Sequence, residues 1–527
     1  MSTNFEYLII GAGPAGLQLG YYLEKSGREY RILESGEQPG VFFRDFPRHR
    51  KLISINKYNT GSDDPEFNMR FDWNSLLSES DEMLFKHYSK KYFPEAENLV
   101  DYLRDYAQFF QLKIDYETTI ERIEKKKDFL LTDSNGNTYS CKYLVIATGV
   151  SKPYIPEISG IELTENYSDV SVDPDDFINQ KVLIIGKGNS GFEMADGLMD
   201  TTAILHVAGP KSIKMAWKTH YVGNLRAVNN NLLDTYQLKS LNAVLDVHID
   251  KIEKRNDKYY VSYRFVRAEE AQKNIEYDRV ITCTGFSFDN EMFSETCKPN
   301  LCINDRFPEQ TNEWESSNID NMYFAGVLMH MRDFKKSTSG FIHGFRYNIR
   351  ALHHMLECKN HKKSWPHKII DLDSKKIMKI VIDRVNKTSA LWQQFGFLAD
   401  LIVISKEDQN AKYYEELPVD YIHNSEFGRN DSYYVLTLEY GPNHDKMDPF
   451  DVDVVRIKQS AIKNTDESHY LHPVLRHFKN TKQIREHHIV ENLENEWFHE
   501  IHTQPLEQFF KSDIKRIEQE LIIGIDE

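Results

Sequence analysis

Two glycine-rich turns of identical spacing constrain the fold of this chain more than any other feature. The first is Gly11-Ala-Gly13-Pro-Ala-Gly16 and the second is Gly186-Lys-Gly188-Asn-Ser-Gly191. Each follows an apolar strand-like run and precedes a run of helical periodicity, which is the context in which such turns bind dinucleotides. The first glycine permits the tight turn, the second lets a pyrophosphate approach the backbone, and the third packs helix on strand. The sequence therefore predicts two dinucleotide sites.

Each turn opens a longer repeat that closes on an apolar strand ending in Thr-Gly, at Gly149 in the first copy and at Gly285 in the second. The first copy is completed only after the second copy has ended, by a strand-like run at residues 321–326 and a helical run from Gly340. We therefore expect the second copy to be inserted into the first. We expect an α/β fold with two nested Rossmann-like domains and an additional C-terminal α+β unit. We expect the first domain to comprise residues 1–160 and 279–358, the inserted second domain residues 161–278, and the C-terminal unit residues 359–527.

The surroundings of the two turns favour different cofactors. Glu34 follows a second predicted strand 21 residues after Gly13, the distance at which a carboxylate binds ribose hydroxyls. We expect FAD in this first domain, which is completed later in the chain, and the nicotinamide donor in the second. No carboxylate ends the strand after the second turn, whereas Lys211 and Lys214 follow it. Such cations would attract a ribose 2′-phosphate and favour NADPH over NADH, although a solvated loop is the alternative interpretation.

The predicted cofactor-binding residues lie in the two turns, in the segments after their strands and in the returning part of the first domain. They are Gly11, Gly13, Pro14, Ala15, Gly16, Glu34, Phe43, Gly149, Gly186, Gly188, Asn189, Ser190, Gly191, Lys211, Lys214, Gly326 and Phe341.

The cysteines argue against thiol chemistry. The chain has five of them and no Cys-x-x-Cys, and the nearest pair is Cys297 and Cys302. A disulfide reductase of this architecture would need a redox pair, so it is a minor alternative. The chain has no Gly-x-Ser-x-Gly elbow, Walker A loop or His-Glu-x-x-His motif, and the histidine pairs 487–488 and 499–502 are best explained as chance neighbours. We therefore expect no metal site.

Charge and composition limit the partners. The net charge of −16 disfavours nucleic acid, whose phosphates need clustered cations. No apolar run reaches the 18 or so residues of a membrane span. The first residues show no basic stretch before an apolar core, and the last four, Gly-Ile-Asp-Glu, are not a retention signal. We expect a cytoplasmic protein that acts on a small molecule without membrane or nucleic-acid partners; the sequence is compatible with a homo-oligomer.

The order of these motifs, together with Tyr92 to Pro94 and Tyr102 to Ala107, resembles the two-dinucleotide-binding flavoprotein monooxygenases. Longer stretches resemble the FAD-dependent oxidoreductase family known as the endoplasmic-reticulum flavoprotein associated with degradation, over most of the chain. These stretches are Phe46 to Lys57, Phe71 to Leu77, Thr219 to Gly223, Leu233 to Leu241, Gly340 to Tyr347, Leu471 to Val474 and His487 to Glu491. The monooxygenase fingerprint normally has Phe, Gly and His before the nicotinamide turn, whereas residues 167–177 lack the Gly and the His.

The resemblance implies FAD, NADPH and molecular oxygen, with a small molecule hydroxylated or N-oxidised through a flavin C4a-peroxide. It places Asn56 beside the flavin, where the alternative is a loop amide that satisfies backbone groups, and His49, Arg50 and Lys51 nearby as cations. The predicted substrate side is a segment rich in polar-tipped aromatic residues, namely Trp217, His220, Tyr221, Arg226 and Tyr236. Two alternatives remain: an NADPH-dependent reductase or oxidase without oxygen insertion, and a nucleotide-binding scaffold that recruits a protein partner.

Overall fold

The computed structural model describes residues 3–237, 241–268, 271–405, 409–458 and 462–523. Within the stretch Leu233 to Leu241, residues 238–240 lie outside the described residues. Among the described segments, none of the helices combines the length and apolar character needed to cross a bilayer.

Strands and helices alternate in the first two thirds of the chain. In the described part, the strands are β1 (Thr3–Ile10), β2 (Tyr30–Leu33), β3 (Ile114–Asp115), β4 (Ile120–Lys125), β5 (Phe129–Asp133), β6 (Thr138–Ile146), β7 (Lys152–Pro153), β8 (Glu165–Asn166), β9 (Lys181–Ile185), β10 (Ile204–Gly209), β11 (Ala243–Arg255), β12 (Lys258–Phe265), β13 (Gln272–Tyr277), β14 (Arg279–Thr282), β15 (Phe286–Ser287), β16 (Leu301–Cys302), β17 (Phe307–Pro308), β18 (Met322–Phe324), β19 (His367–Asp371), β20 (Leu398–Ser405), β21 (Asn410–Pro418), β22 (Tyr433–Glu439), β23 (His472–Lys479) and β24 (Lys482–His488). The helices are α1 (Pro14–Lys25), α2 (Val41–Asp45), α3 (Pro65–Asn68), α4 (Ala96–Phe109), α5 (Asn189–Leu198), α6 (Ala216–Thr219), α7 (Asn231–Gln237), α8 (Ile342–His361), α9 (Ser374–Lys387), α10 (Ala390–Gln393), α11 (Val419–Asn424) and α12 (Glu500–Ile523).

The first sheet has the order β3-β2-β1-β6-β5-β4, and β18 pairs with the C-terminal half of β6. Strand β1 is central and parallel to both neighbours, with Ile9 in register with Ile32 and with Val145. Apolar residues cover both faces because helices lie on one side and the β4–β6 meander curls over the other. An all-buried run such as Tyr7 to Ile10 is typical of a parallel strand covered on both faces.

The second sheet has the order β13-β12-β11-β10-β9-β14-β8. All of its strands lie between β6 and β18 in the chain, so the insertion of one repeat into the other is confirmed. Strand β9 is central and parallel to β10 and β14, with Ile184 in register with Val207 and with Ile281. The α/β fold with two nested dinucleotide-binding domains therefore stands as predicted.

The two chain segments that connect the sheets run side by side. Strands β7 and β15 pair antiparallel, with Pro153 opposite Phe286. The Tyr154 N–H donates to the Gly285 carbonyl at 2.8 Å, and the Thr284 hydroxyl donates to the Tyr154 carbonyl. The two connections between the sheets, after Gly149 and after Gly285, therefore form a single two-stranded ribbon.

The C-terminal unit is an antiparallel sheet of order β19-β21-β20-β22-β23-β24 against which α9 and α12 pack. This confirms the expected α+β unit. Two helices follow one another before β20, since α9 ends at Lys387 and α10 covers only Ala390–Gln393. A buried ionic cluster joins this unit to α8: Arg384 Nε lies 2.7 Å from Asp400 Oδ2, and Arg350 Nε donates to Glu416 Oε2 at 2.8 Å.

Candidate functional site

The first glycine turn has the geometry of a pyrophosphate cradle. Gly11 adopts φ +101°, and a Cβ added at Gly16 would lie 1.9 Å from the Gly11 carbonyl oxygen. At Gly13, by contrast, an added Cβ would meet nothing within 4 Å. Gly13 also precedes α1, and no side chain caps this helix. An uncapped helix N-terminus beside open space favours a bound anion.

Glu34 lies where the sequence spacing predicts, at the end of β2 beside this turn. Its Oε2 accepts the Ala12 N–H at 2.6 Å, and its Oε1 accepts the Gly36 N–H at 2.9 Å. These backbone donors fix the carboxylate, which is 6 % exposed. An ionised carboxylate has more acceptor sites than these two bonds use, so acceptor capacity for ribose hydroxyls remains.

The second turn repeats this geometry. Gly186 adopts φ +125°, and a Cβ at Gly191 would lie 2.1 Å from the Gly186 carbonyl oxygen. A Cβ at Gly188 would again meet nothing within 4 Å. Helix α5 begins at Asn189 without a capping side chain. The structure therefore contains a second turn that can receive an anion.

A carboxylate near this turn comes from a neighbouring strand. Strand β10 ends at Gly209, which is in register with Asp246 of β11. Lys187, within the turn, places Nζ 2.5 Å from Asp246 Oδ1, and Arg267 Nε lies 2.8 Å from Oδ2. Two cations therefore balance this charge. The carboxylate that was expected to be missing at the end of β10 is thus supplied by Asp246 of β11.

Lys211 and Lys214 lie after β10 and are both exposed. Burial, together with the positive charges of Arg306, Lys211 and Lys214, lowers the pKa of Lys335. The two predicted lysines therefore belong to a larger cationic group that includes residues of the first domain. Neither lysine lines the cavity described next.

Both turns open onto one cavity of about 390 Å³. The first domain contributes the start of α1, the segment after β6, the segment after β18 and the start of α8. The second domain contributes the start of α5 and the loop that follows α6. The predicted cofactor residues found in its wall are Gly13, Pro14, Ala15, Phe43, Gly149, Asn189, Ser190, Gly326 and Phe341. The remaining predicted cofactor residues, Gly11, Gly16, Glu34, Gly186, Gly188, Gly191, Lys211 and Lys214, lie outside the wall.

His49 and Arg50 are used in contacts within the protein. The His49 N–H donates to Glu193 Oε1 at 2.6 Å, and its Nδ1 lies 3.2 Å from the same oxygen. Arg50 donates from Nη2 to the Phe43 carbonyl at 2.7 Å and from Nε to Glu97 at 2.6 Å. Neither side chain lines the cavity. They hold Phe43 and Glu193, which do line it, and the third predicted cation, Lys51, lines it as well. A role of these cations toward the cofactor stays a prediction.

Asn56 also lies outside the cavity wall. Its side chain is buried, and Nδ2 donates to the Ser89 carbonyl at 2.7 Å and to the Lys91 carbonyl at 3.4 Å. The placement beside the flavin stays a prediction. Asn56 has the geometry of the alternative interpretation, a loop amide that satisfies backbone groups.

One of the five predicted substrate residues, Arg226, lines the cavity. The other four do not, and two of them contact the C-terminal unit. The Trp217 ring packs against Phe450 with centroids 5.1 Å apart, and His220 stacks on Tyr440 at 4.2 Å. Burial and the neighbouring His444 lower the pKa of His220 to about 4. Much of this polar aromatic segment is therefore an interdomain contact. Tyr236, in α7, is 36 % exposed, and Tyr221 pairs with His330 of the first domain.

The cysteines are all free, and none lines the cavity. Cys297 donates to the Ile123 carbonyl at 3.1 Å, and Cys302 lies 3.6 Å from the Phe307 carbonyl. Burial raises the pKa of both thiols, which lowers the reactive thiolate fraction. Within the described residues, which include all five cysteines, no thiol pair lies at the cavity.

Several wall residues were not predicted. Trp73 and His343 belong to the stretches 71–77 and 340–347, which carry the family resemblance. The resemblance singled out these stretches but assigned no function to either residue. Glu193 lies four residues after Asn189 of the second turn, and Asn229 lies forty residues after it. Neither residue belongs to a motif that could have marked it as part of the cavity wall. Within the described residues, no group of three or more His, Cys, Asp or Glu could hold a metal ion.

Two nested dinucleotide-binding domains that open onto one cavity define the class of two-dinucleotide-binding flavoproteins. The family model described as pyridine nucleotide-disulphide oxidoreductase matches residues 8–326. The chain belongs to this family and is a flavin-dependent oxidoreductase.

Similar proteins extend the comparison. FAD-dependent oxidoreductase domain-containing protein 2 of Mus musculus is 36 % identical over 565 aligned residues, which cover 96 % of this chain and 84 % of that protein. Senecionine N-oxygenase of Tyria jacobaeae is 26 % identical over 312 residues, with coverage of 56 % and 60 %. The solved structure of bacillithiol disulfide reductase from Staphylococcus aureus is similar in fold, with a TM-score of 0.52, 20 % identity and coverage of 68 % of this chain and 99 % of that one. The first of these similarities extends through the C-terminal unit.

Proposed function

We propose that this protein is an FAD-containing, NADPH-dependent monooxygenase of a small molecule. The observation that carries the proposal is that two uncapped helix N-termini, at Gly13 and at Gly188, belong to turns whose following residues line one cavity. Two anionic nucleotides held there would have their reactive ends in a common space. Residues 1–160 with 279–358 would form the FAD domain, and residues 161–278 the NADPH domain.

The residues around the first turn fit FAD. The open space at Gly13 can receive a pyrophosphate, and Glu34 is held ready for ribose hydroxyls. Gly326 approaches α1 so closely that a Cβ there would lie 2.6 Å from the Ala15 Cβ, so the wall beside this turn is tightly defined. When bound, FAD would supply the redox chemistry with the nicotinamide and with oxygen. The protein's part is to bind, orient and exclude water.

The choice of NADPH rests on charge. Lys211 and Lys214 lie in the loop after β10, and the nearby Arg306 and Lys335 add positive charge. Asp246 is already paired with Lys187 and Arg267. A ribose 2′-phosphate in this region would therefore meet net positive charge.

The choice of oxygen insertion over thiol chemistry rests on the cysteines and on one relative. The two cysteines nearest in sequence use their thiols on backbone carbonyls, and none of the five lies in the cavity wall. The relative named senecionine N-oxygenase is an oxygenase by name and aligns with 56 % of this chain. A reductase or oxidase that transfers electrons without inserting oxygen is the alternative.

The test is the fate of oxygen. The purified protein is loaded with FAD and reduced by NADPH without oxygen, then mixed with oxygenated buffer that contains one trial substrate at a time from a small-molecule panel. A monooxygenase should release less hydrogen peroxide per NADPH when a substrate is present, and the product should gain one oxygen atom from ¹⁸O₂. Peroxide equal to NADPH consumed with every compound, and no labelled product, would favour the oxidase. Reduction without peroxide or product would favour the reductase.

A further inference from the structure

His343 is a buried cavity residue whose ring nitrogens have no partner in the described part of the chain. It is the second residue of α8, its side chain is 1 % exposed, and it lines the cavity. Neither Nδ1 nor Nε2 has a hydrogen-bond partner among the described residues. Leaving such buried polar atoms unpaired is unfavourable. Their position at a cavity wall indicates that a bound molecule supplies the missing partner.

The ring of His343 is held in place and is neutral. It stacks on Trp73 with centroids 4.2 Å apart and on Phe341 at 5.8 Å. Burial and the positive charges of Arg346 and Arg226 hold the pKa of His343 well below its usual value. A neutral imidazole offers one N–H donor and one acceptor. It therefore suits hydrogen bonding to an uncharged polar group of a ligand.

Arg226 is a second wall residue, and it has no counter-charge among the residues that the structure describes. Its guanidinium lies 5.1 Å from the centroid of the Trp73 ring. In the part of the chain that the structure describes, no carboxylate forms an ion pair with it, and burial lowers its pKa. Guanidinium groups bind carboxylates through two parallel hydrogen bonds. An anionic group on a ligand would supply the missing charge.

We propose that Arg226, Trp73 and His343 form a recognition wall for an organic anion, with a carboxylate on Arg226 and a second polar group on His343. This inference rests on the proposed function, because it assigns the anion to the substrate that enters the shared cavity. Trp73 contacts both polar residues, so its ring provides the apolar surface between them. The Arg226 N–H donates to Asn189 Oδ1 at 3.0 Å, which places its backbone near the second turn, so a phosphate of the dinucleotide is the competing partner that the test must exclude.

The experiment measures binding rather than turnover. Full-length protein with bound FAD is titrated with benzoate and with its neutral analogue benzamide, by calorimetry and by the visible spectrum of the flavin. We expect benzoate to bind more tightly, and Arg226→Gln to weaken benzoate by about tenfold to a hundredfold while leaving benzamide unchanged. Arg226→Lys should bind benzoate with an affinity between those of the wild type and Arg226→Gln, because it keeps the positive charge but loses the two parallel N–H donors of the guanidinium. Arg122→Gln, an exposed change of equal charge, is the matched control.

The same variants are titrated with NADP⁺, and His343→Phe is compared with His343→Gln using salicylate, a carboxylate with an added hydroxyl. His343→Phe should weaken salicylate more than benzoate, with partial recovery in His343→Gln. Equal binding of benzoate and benzamide to the wild type overturns the proposal. The proposal is also overturned if Arg226→Gln loses affinity for NADP⁺ but binds benzoate as tightly as the wild type. A His343 variant that loses FAD but not salicylate affinity assigns His343 to the cofactor. A wild type that cannot hold FAD contradicts the proposed function itself, not only this inference.

Discussion

His330 and Tyr221 form a stacked, hydrogen-bonded pair behind the cavity wall: the imidazole Nε2 lies 3.0 Å from the phenol oxygen, and the ring planes are 2° apart. The Lys335 N–H also reaches Nε2, at 3.2 Å, so this nitrogen is the acceptor. The proton must then be on Nδ1, which faces Asp333 Oδ1 at 3.3 Å. Gly340 of the cavity wall packs on this imidazole, since an added Cβ would lie 3.1 Å from its ring. The pair therefore supports the wall.

Removing either member of this pair should have unequal effects on stability. In Tyr221→Phe, Nε2 keeps the Lys335 N–H, so we expect a loss of about 1 kcal/mol in the free energy of unfolding. In His330→Ala, Asp333 loses a donor while it remains buried, and we expect a loss of about 3 kcal/mol. Urea unfolding of the two variants tests this, and equal losses would contradict the assigned tautomer.

The glycines of the first turn should separate binding from folding. An added side chain at Gly13 meets no protein atom but enters the space for the pyrophosphate, so Gly13→Val should keep the fold and lose FAD. A Cβ at Gly16 would meet the Gly11 carbonyl, so Gly16→Val should also lower the unfolding temperature. FAD content and thermal unfolding are measured on both. The matched Gly188→Val should retain FAD and lose NADP⁺ binding; full FAD occupancy in Gly13→Val would refute the assignment.

The loop after β10 should set coenzyme preference. We expect NADPH to reduce the bound flavin faster than NADH, and Lys211→Ala/Lys214→Ala to remove most of this difference, by about tenfold, while activity with NADH remains. Anaerobic stopped-flow reduction measures both rates. The control is Lys126→Ala/Lys127→Ala, which removes two exposed adjacent lysines of the first domain. Equal rates of flavin reduction by NADPH and NADH in the wild type would show that this loop does not bind the ribose 2′-phosphate.

Asn56→Ala should act on structure rather than on oxygen chemistry. The amide is a donor to the Ser89 and Lys91 carbonyls, so its removal should cost about 1–2 kcal/mol of unfolding free energy. Among molecules that retain FAD, the peroxide released per NADPH should not change. A variant of normal stability with a higher peroxide yield would return Asn56 to the catalytic role expected from the resemblance.

Cys297→Ser/Cys302→Ser should leave NADPH turnover nearly intact. Both thiols face backbone carbonyls that a serine hydroxyl can also reach, and neither lies at the cavity. Steady-state NADPH consumption, with circular dichroism as the check on folding, measures the effect. A large loss of turnover in a folded variant would revive disulfide reduction.

Local sequence predicted the parts of the site that local backbone determines. A strand, a glycine turn and a helix start lie within twenty residues, so the turns at Gly11 and Gly186 could be recognised directly. Glu34 could be placed because one helix and one strand fix its distance from Gly13. The nested order of the domains followed from the two Thr-Gly strands.

Side-chain direction and long-range partners could not be predicted in this way. Trp73 and His343 are far apart in the chain and meet only because α8 returns to the first domain. Asp246 reaches the second turn from a neighbouring strand, which no spacing rule counts. Asn56 turns toward Ser89 because unpaired backbone carbonyls there need a donor.

The paired linkers have a consequence for movement between the domains. Because β7 and β15 are hydrogen-bonded to each other, the inserted domain is attached through a single short ribbon rather than through two independent tethers. Such a ribbon can twist but resists being pulled open. The His49 contacts with Glu193 and the Arg48 guanidinium on the Val170 carbonyl at 2.6 Å add hydrogen bonds between the two domains, and Arg48 lines a surface pocket together with Pro153 of that ribbon. A rotation of the inserted domain about this ribbon therefore has to break these hydrogen bonds and the Tyr221–His330 pair together.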